Sequence, residues 1–288
     1  MSAARLSRTT DDVAVPGEFL FTWRDFSVIA DLLYRMSGIH LQESKATLVY
    51  SRVAKRVRAL GLPDFETYCD LVRSPGSEEE QSALLSSLTT NVTRFFREPH
   101  HFDHLRDNVL PRLSQAAKSG ARVRLWSAGC SAGHEPYTMA MTVLDAMPDA
   151  PSLDVRILAS DIDPLIVKRA ADASYTSDDI EPVPAAMRSR YLVRDGGAWT
   201  VSEDIRRLVS FRTLNLLGDW PMRGRFDVIF CRNVAIYFDD PTQTRLFGRF
   251  GEAMQDGGQL YIGHSERAFA PTLTPDGLTS YRRIQRHG

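Results

Sequence analysis

One stretch of the sequence indicates the fold class most clearly: Val123-Arg124-Leu125-Trp126-Ser127-Ala128-Gly129-Cys130-Ser131-Ala132-Gly133. It is a short apolar strand followed at once by a turn of small residues. Such a turn lets the backbone approach a ligand closely after the first strand of an open α/β sheet. A tight strand-to-helix turn without a ligand would use glycine equally well. The stretch therefore predicts an open α/β sheet, and by itself it is only a weak indication that a ligand binds there.

Downstream of this stretch, apolar strands alternate with amphipathic helices. Continuous apolar strands separated by helices indicate a parallel sheet that is covered on both faces. We therefore expect an α/β fold with a doubly wound, mostly parallel sheet. The predicted strands are residues 155–159, 226–230 and 259–262, and the predicted helices are 165–173 and 242–254.

One segment interrupts the alternation. Gly196-Gly197 lies between β-forming residues at 191–193 and 199–201, and a glycine turn in that setting indicates a hairpin. We expect a small inserted antiparallel β-subdomain at about 188–214, with residues 208–214 as its third strand.

Upstream of the decisive stretch, helical periodicity predicts an all-helical domain over residues 18–88. Thr22 and Asp64 are candidate N-caps, and Gly38 is a candidate helix stop. Residues 1–17 have no apolar core and are expected to be a disordered leader. Residues 89–98 are expected to form a linker or lid before the domain at 99–288.

Composition excludes several classes of protein. The 288 residues are 43% hydrophobic and 25% charged, with a net charge of −1, so there is no overall basic field for nucleic acid. The three cysteines form no C-x-x-C pair, which fits a reducing compartment and predicts no metal site. No apolar run reaches the ~20 residues that span a bilayer. We expect a cytoplasmic protein that does not insert into the membrane.

Acidic residues point to the class of ligand. Asp161 and Asp163 follow the second predicted strand, where nucleotide-binding sheets place an acid for a ribose diol. Glu135 lies near the first turn, which is unfavourable for a pyrophosphate and acceptable for a cationic ligand. An acid after the second strand together with Glu135 near the first turn favours S-adenosylmethionine (SAM) over NAD.

Three further segments carry polar and aromatic residues at predicted element ends. Each has a purely structural explanation as a linker, a core aromatic or a structural histidine. The segments are Asn91-Val92-Thr93-Arg94-Phe95-Phe96-Arg97-Glu98, Cys231-Arg232-Asn233-Val234-Ala235-Ile236-Tyr237-Phe238 and Gly263-His264-Ser265-Glu266.

Together with the first turn and Ala159-Ser160-Asp161-Ile162-Asp163, these segments resemble the CheR family of chemotaxis receptor methyltransferases. The resemblance runs in order from about residue 20 to 285. Two positions depart from the family pattern, because His134 stands where a glutamate is usual and Thr138 where a serine is usual.

The resemblance implies a class I, Rossmann-like, SAM-dependent protein-glutamate O-methyltransferase. It would esterify glutamate side chains of chemotaxis receptors and release S-adenosylhomocysteine. Arg97 and Tyr237 would be the catalytic residues. The implied cofactor-binding residues are Asn91, Thr93, Arg97, Ala128, Glu135, Asp161, Asn215, Leu216, Arg232 and Asn233.

A basic helix is the candidate receptor surface. Lys45, Arg52 and Arg56 are expected on one side of it, away from the apolar stripe. The basic residues of this predicted helix are Lys45, Arg52, Lys55, Arg56 and Arg58, and its stripe is Leu48, Val49, Val53, Val57 and Leu60. A solvated helix face explains such a pattern equally well. If the resemblance holds, the helix would steer the glutamate-rich cytoplasmic helical domain of a receptor.

The tip of the inserted β-subdomain, at 194–199, is short. A short tip favours a methyltransferase that does not depend on a peptide at the receptor's C-terminus. We expect a monomer.

Alternatives remain at this point. A non-catalytic SAM-binding regulator or a methyltransferase for another acceptor fits the same motifs. A nucleic-acid methylase is disfavoured by the charge and by the missing N/D-P-P-Y/F tetrapeptide. An NAD-dependent dehydrogenase is disfavoured by the missing G-x-G-x-x-G.

Overall fold

The structure, a computed structural model, describes residues 12–284 and divides the chain into two compact units, Met1–Thr90 and Asn91–Gly288. The first unit is largely helical. Thr22 begins its first helix through a capping box with Asp25, and Gly38 ends that helix at φ 72°, as predicted. Asp64 caps the third helix through the Thr67 amide. The elements are β1 Val13–Val15, β2 Phe21–Thr22, α1 Trp23–Ser37, α2 Ala46–Ala59, α3 Phe65–Arg73 and α4 Glu78–Leu88.

The predicted leader needs a correction. Residues 1–11 lie outside the described residues, but β1 pairs antiparallel with β2, so 13–15 are ordered strand. Val15 is buried at the end of β1. Burial of this short apolar segment provides the contacts that a disordered leader would lack.

The second unit is built on a seven-stranded sheet with helices around it. A single-turn π-helix at Leu105–Val109 joins helix α5, His100–His104, to helix α6, Leu110–Lys118. The strands of the second unit are β3 Val123–Ala128, β4 Val155–Asp161, β5 Ser174–Tyr175, β6 Leu192–Asp195, β7 Ala198–Val201, β8 Val209–Thr213, β9 Phe226–Cys231, β10 Met254–Ile262, β11 Leu273–Pro275 and β12 Ser280–Arg283. The helices of this unit are α5 His100–His104, α6 Leu110–Lys118, α7 His134–Ala146, α8 Pro164–Asp172, α9 Ser177–Ile180, α10 Ala185–Tyr191, α11 Glu203–Leu208 and α12 Asp240–Ala253.

Both faces of the central sheet are buried, as the continuous apolar strands predicted. On β3, Leu125 packs into the core on one face and Trp126 into the core on the other, and neither is exposed. The Trp126 indole donates to Ser160 Oγ at 2.9 Å, so its polar atom is satisfied. The doubly wound α/β domain is confirmed.

The strand order places the ligand-binding edge. It runs β11-β12-β10-β9-β3-β4-β8, with β8, β4, β3, β9 and β10 parallel to one another. The chain leaves β3 towards β4 and β8, then returns to β9 on the other side. The carboxyl ends of the strands on either side of such a reversal form the crevice where open α/β sheets bind ligands.

The inserted antiparallel β-subdomain is present, but its third strand was predicted wrongly. β5 pairs with β7, and β7 pairs with β6. Residues 208–214 instead contribute β8, which pairs in parallel with β4 in the main sheet. β-forming residues alone do not indicate which partner strand they will pair with, and here the edge of the large sheet is the partner.

Two other expectations concern segment limits and membranes. The boundary between the units falls after Thr90, so most of the segment expected to be a linker, from Asn91 onward, lies in the second unit. Within residues 12–284, no helix combines the length and apolarity needed to cross a bilayer.

Candidate active site

Small residues form the first turn, between β3 and α7. Gly129 adopts φ 92°, and a Cβ there would overlap Cγ2 of Val234, so only glycine fits. The amides of Gly129 and Cys130 donate to the Ser160 carbonyl at 2.8 and 2.9 Å. Ala128 is fully buried just before the turn. These contacts fix the turn beside the end of β4.

Asp161 ends β4 next to this turn, where the sequence analysis placed it. One carboxylate oxygen accepts the Ser131 amide at 2.9 Å, and the other accepts the Asp163 amide at 3.1 Å. Burial raises the pKa of Asp161, and these amides oppose the rise. Each oxygen retains a further lone pair. The carboxylate is therefore oriented and still able to accept hydroxyl groups of a ligand.

Arg232 connects several parts of the second unit. Its guanidinium is 2% exposed, with Nη1 3.2 Å from Glu135 Oε2 and Nη2 3.4 Å from Glu98 Oε2. Nη2 also donates to the carbonyl of Arg97, and the cation lies 5.5 Å from the centre of the Phe102 ring. Two carboxylates thus compensate one buried cation. Arg232 links the beginning of α7 to the segment that precedes α5.

Glu135 has protein partners on both oxygens. Oε1 accepts the Ser127 hydroxyl at 2.7 Å, and Oε2 faces Arg232. Burial raises the pKa of Glu135, while Arg232 and Ser127 act in the opposite direction. The sequence predicts that Glu135 borders the cofactor. In the structure Glu135 also positions the guanidinium of Arg232, with which it pairs.

The segment around Arg97 has an unusual backbone. Phe96 and Glu98 adopt φ 53° and 55° on either side of Arg97, a conformation that is costly without glycine. Glu98 is held by Arg232 and by Nδ1 of His264, 3.0 Å from its Oε1. Burial alone would raise the pKa of Glu98, but Arg232 and His264 outweigh it and lower the pKa. The ionised Glu98 anchors the strained turn that presents Arg97.

The predicted lid residues lie in this same segment. The Arg97 side chain is half-buried and donates to the Val92 carbonyl at 3.2 Å. The Asn91 carbonyl accepts the Ser131 hydroxyl at 3.2 Å, which ties the segment to the first turn. Thr93 is half-buried. Asn91 thus lies beside the predicted cofactor turn.

Glu266 is a site residue whose task the sequence analysis did not foresee. Its two oxygens accept the amides of Gly263, Asn233, Val234 and Ile236 at 2.6 to 3.2 Å. Burial raises the pKa of Glu266, and the same amides counteract the rise. One carboxylate therefore joins the loop after β9 to the loop after β10. The acid at the end of Gly-His-Ser-Glu was the available signal, but three of its four partners lie 30 to 33 residues away.

Asn233 and Tyr237 occupy the loop that Glu266 holds. Asn233 adopts φ 58°. Within the described part of the chain, its buried Oδ1 has no hydrogen-bond partner. Tyr237 ends the 3-10 turn Ala235–Tyr237 and is half-buried. A buried acceptor without a donor is a place where a ligand N–H or O–H fits.

Asn215 and Leu216 follow β8 rather than the flap, which corrects their predicted setting. Asn215 Oδ1 accepts the Leu217 amide at 2.9 Å. The Leu216 carbonyl accepts Arg249 Nη1 at 2.7 Å and the Trp220 indole at 3.2 Å. The loop is thereby fixed at the carboxyl end of an edge strand, on the same side of the sheet as Asp161.

The residues that end β3, β4, β8 and β9 suit an S-adenosyl ligand. Asp161 offers a carboxylate for a ribose diol, the glycine turn admits close approach, and the Asn233 amide oxygen is buried without a donor among residues 12–284. The acidic groups near the first turn favour a sulfonium over a pyrophosphate. The predicted cofactor residues at this edge are Ala128, Glu135, Asp161, Asn215, Leu216, Arg232 and Asn233.

The thiols near the site are poor nucleophiles. Cys130 and Cys231 are buried, and burial raises the pKa of both thiols well above the ordinary value. A thiol in that state carries little thiolate. Covalent catalysis by cysteine is therefore disfavoured at these positions.

The basic helix α2 belongs to the first unit, and its Arg52 and Arg56 have internal partners. Arg52 Nη1 donates to the carbonyls of Leu88 and Thr89 at 3.0 and 2.9 Å, at the end of α4. Arg56 Nε donates to Glu80 at 3.0 Å. These two arginines join α2 to α4.

Lys55 is exposed on α2, and Lys45 is exposed at the end of the 3-10 turn Glu43–Lys45 that precedes α2. The predicted apolar stripe is confirmed at Val49, Val53 and Val57, which are buried, and is wrong at Leu48 and Leu60, which are 37% and 41% exposed.

Comparisons with known proteins agree with the motifs. A family model described as "CheR methyltransferase, SAM binding domain" matches residues 91–275, and one described as "CheR methyltransferase, all-alpha domain" matches residues 24–89. A Rhizobium etli protein named "Probable chemotaxis protein methyltransferase" is 49% identical over 87% of this chain and 96% of its own length.

Further relatives extend this similarity. "Chemotaxis protein methyltransferase 2" of Pseudomonas aeruginosa is 44% identical over 86% of this chain and 88% of its own length. "Chemotaxis protein methyltransferase" of Escherichia coli is 39% identical over 84% and 83%, respectively. The resemblance inferred from the five sequence segments is confirmed.

Proposed function

Because this chain belongs to the CheR family of SAM-dependent methyltransferases, we propose that it esterifies glutamate side chains of chemotaxis receptors. The products are glutamate methyl esters and S-adenosylhomocysteine. The observation that carries the proposal is the carboxyl edge of the sheet, where Asp161 lies beside a glycine turn and Arg232 connects that turn to Arg97.

The acceptor chemistry explains why no general base is needed. SAM supplies an activated methyl group on a sulfonium for in-line displacement. A glutamate side chain has an intrinsic pKa of ~4.3, so the nucleophile is already ionised at neutral pH. The chain's contribution is to hold the two reacting groups in line, which can be worth ~7–11 kcal/mol in well-oriented systems.

Individual residues divide this work. Asp161 accepts the ribose hydroxyls, and Asn215 with Leu216 borders the adenine. Asn91 and Thr93 border the cofactor from the lid segment. Ala128, Glu135, Arg232 and Asn233 complete the cofactor pocket.

Arg97 and Tyr237 hold the acceptor carboxylate by hydrogen bonding and do not remove a proton from it. The strained turn at Phe96 and Glu98 supports this assignment of Arg97, because such backbone strain concentrates at functional sites.

The receptor surface is the exposed basic part of α2 together with the turn that precedes it. Lys45 and Lys55 are exposed, and their charge complements a glutamate-rich receptor helix. Arg52 and Arg56 contribute to that field while also joining α2 to α4. We further propose that the enzyme acts as a cytoplasmic monomer on the cytoplasmic helical domain of the receptor, without requiring a C-terminal receptor peptide.

A labelled methyl-transfer assay tests the proposal. The full chain is incubated with methyl-labelled SAM and membranes that hold a chemoreceptor. We expect label on the receptor that is released by base, as a methyl ester requires. Arg97→Ala should abolish the transfer, whereas Arg94→Ala, an exposed arginine of the same segment, should retain it. Stable label or label on nucleic acid would contradict the proposal, and bound SAM without transfer would favour a non-catalytic regulator.

A further inference from the structure

Two histidines follow Glu98 at the beginning of α5. Ligand atoms of Glu98, His100 and His101 all lie within 4.8 Å of one another. The rings of the two histidines have centroids 4.1 Å apart. Carboxylate oxygens and imidazole nitrogens at this spacing are the donors that zinc sites use.

These atoms are buried and lack hydrogen bonds. In the described part of the chain, Glu98 Oε2, His100 Nε2 and His101 Nδ1 have no hydrogen-bond partner. His101 is 1% exposed. Its Nδ1 lies 3.5 Å from Glu98 Oε2, too far for a strong hydrogen bond. Leaving several polar atoms buried and unsatisfied is costly unless something bridges them.

The surrounding contacts orient the cluster as ligands are oriented in metal sites. His101 Nε2 lies 2.8 Å from Thr279 Oγ1 and 3.3 Å from the Leu278 carbonyl. A proton on Nε2, donated to that carbonyl, leaves the Nδ1 lone pair directed at Glu98. Metal-binding histidines are typically held in this way through their other nitrogen. The second oxygen of Glu98 is held by His264.

We propose that Glu98, His100 and His101 form a binding site for a divalent transition metal of the zinc class. Two imidazoles and one carboxylate match zinc, whereas calcium and magnesium prefer oxygen ligands throughout. The 3.5 Å separation of the Glu98 and His101 ligand atoms is close to that of neighbouring ligands around tetrahedral zinc. His100 supplies the third protein ligand and leaves a fourth position open.

The site has a consequence for Arg97. Glu98 Oε2 is also the oxygen that faces Arg232 Nη2 at 3.4 Å, so a bound dication competes with the guanidinium for the same carboxylate. Arg232 in turn holds the Arg97 carbonyl. Zinc therefore shifts the turn that presents Arg97 and slows methyl transfer. This effect rests on the proposed function, whereas metal binding itself does not.

Calorimetric titration with zinc chloride, and with cobalt chloride followed by visible absorption, tests the site on the untagged full chain. We expect one tight equivalent in the unaltered protein and tetrahedral cobalt bands. His100→Ala should weaken zinc binding at least ~10-fold. His40→Ala, an exposed histidine of the other unit, should leave it unchanged.

Circular dichroism verifies folding of each variant, and His100→Gln replaces His100→Ala if the latter does not fold. Absence of a tight equivalent in the unaltered chain would overturn the proposal. Equal zinc affinity in the folded His100 variant would overturn it as well. Because neither readout involves methyl transfer, failure of the metal site is distinguishable from failure of the proposed function.

Discussion

At the scale of single residues, cofactor binding and catalysis should separate between Asp161 and Tyr237. Asp161→Ala removes the proposed acceptor for the ribose hydroxyls, and bonds to a charged group contribute about 1.5–3 kcal/mol. We expect the Kd for S-adenosylhomocysteine to rise roughly 10- to 100-fold. Tyr237→Phe should lower kcat by a similar factor and change that Kd little.

Calorimetry and single-turnover methyl transfer measure the two quantities. Asp161→Asn is a useful control because it retains the side-chain shape and one oxygen. Equal losses of cofactor affinity in Asp161→Ala and Tyr237→Phe would contradict this division of labour.

His134 should make stability depend on pH. Its ring packs 4.8 Å from Phe95 and 4.9 Å from Tyr175, measured between centroids, and burial lowers the pKa of His134 to about 4. The unfolded chain takes up this proton near pH 6.5 and the folded chain does not, so stability falls as pH drops from 6.5 to 4. The largest loss is about 3 kcal/mol, from a difference of some 2.5 pH units.

Urea unfolding of the wild type and of His134→Gln between pH 7 and 4 measures this effect. The variant should lose less stability over that range, although burial also lowers the pKa of His101 to about 3 and its contribution persists. Parallel pH profiles for the two proteins would contradict the assignment to His134.

Residue identity at strand ends was the most predictable part of the site. Asp161 was placed correctly because an acid after the second strand follows from the fold itself. The partnership of Arg232 with Glu135 was not predictable, since 97 positions separate them and several acids were available. Pairing over such distances depends on how the elements pack, which no local pattern encodes.

At the scale of elements, Glu266 should control the geometry of two loops. Glu266→Gln replaces one acceptor oxygen with an NH₂ group that faces backbone N–H donors. We expect a loss of about 1–3 kcal/mol in unfolding free energy and weaker binding of S-adenosylhomocysteine. Glu252→Gln, at an exposed position of α12, is the matched control. Unchanged thermal stability and cofactor affinity in Glu266→Gln would show that the loops do not depend on this carboxylate.

Mutations in and just before helix α2 should distinguish charges that stabilise the first unit from charges that contact the receptor. Reversing Lys45 and Lys55 to Glu should raise the KM for receptor, by up to about fivefold per exposed charge pair lost, and leave unfolding free energy unchanged. Reversing Arg52 and Arg56 should also cost about 1–3 kcal/mol of stability, because the carbonyls of α4 and Glu80 lose their partner.

Steady-state kinetics and denaturant unfolding on the same four variants compare these effects. If the lysine variants leave the KM for receptor unaltered, α2 is a structural helix with a solvated face.

The elements themselves were partly predictable. The caps at Thr22 and Asp64 and the apolar strands followed from local chemistry. Leu48 and Leu60 were placed wrongly because packing against neighbouring elements decides which residues of a helical stripe are buried, and here it buries Val49, Val53 and Val57. Residues 208–214 were assigned to the wrong sheet for the same reason, since pairing is decided by the neighbour and not by the strand.

At the scale of the whole molecule, the parallel sheet explains why distant segments form one site. Five strands present their carboxyl ends at one edge, so loops from residues 128 to 266 converge there. Alternating strands and helices made this convergence predictable before any contact was known. The pairing of Arg232 with Glu98 and the bonds of Glu266 to two loops could be identified only from the structure.

The proposed function depends most directly on an S-adenosyl pocket at the carboxyl edge of the sheet. The decisive measurement is calorimetric titration of the purified full chain with S-adenosylhomocysteine, alongside Asp161→Ala. We predict one equivalent bound per chain and a markedly weaker affinity in the variant. No uptake by the unaltered chain, or identical affinity in the two proteins, would contradict the account.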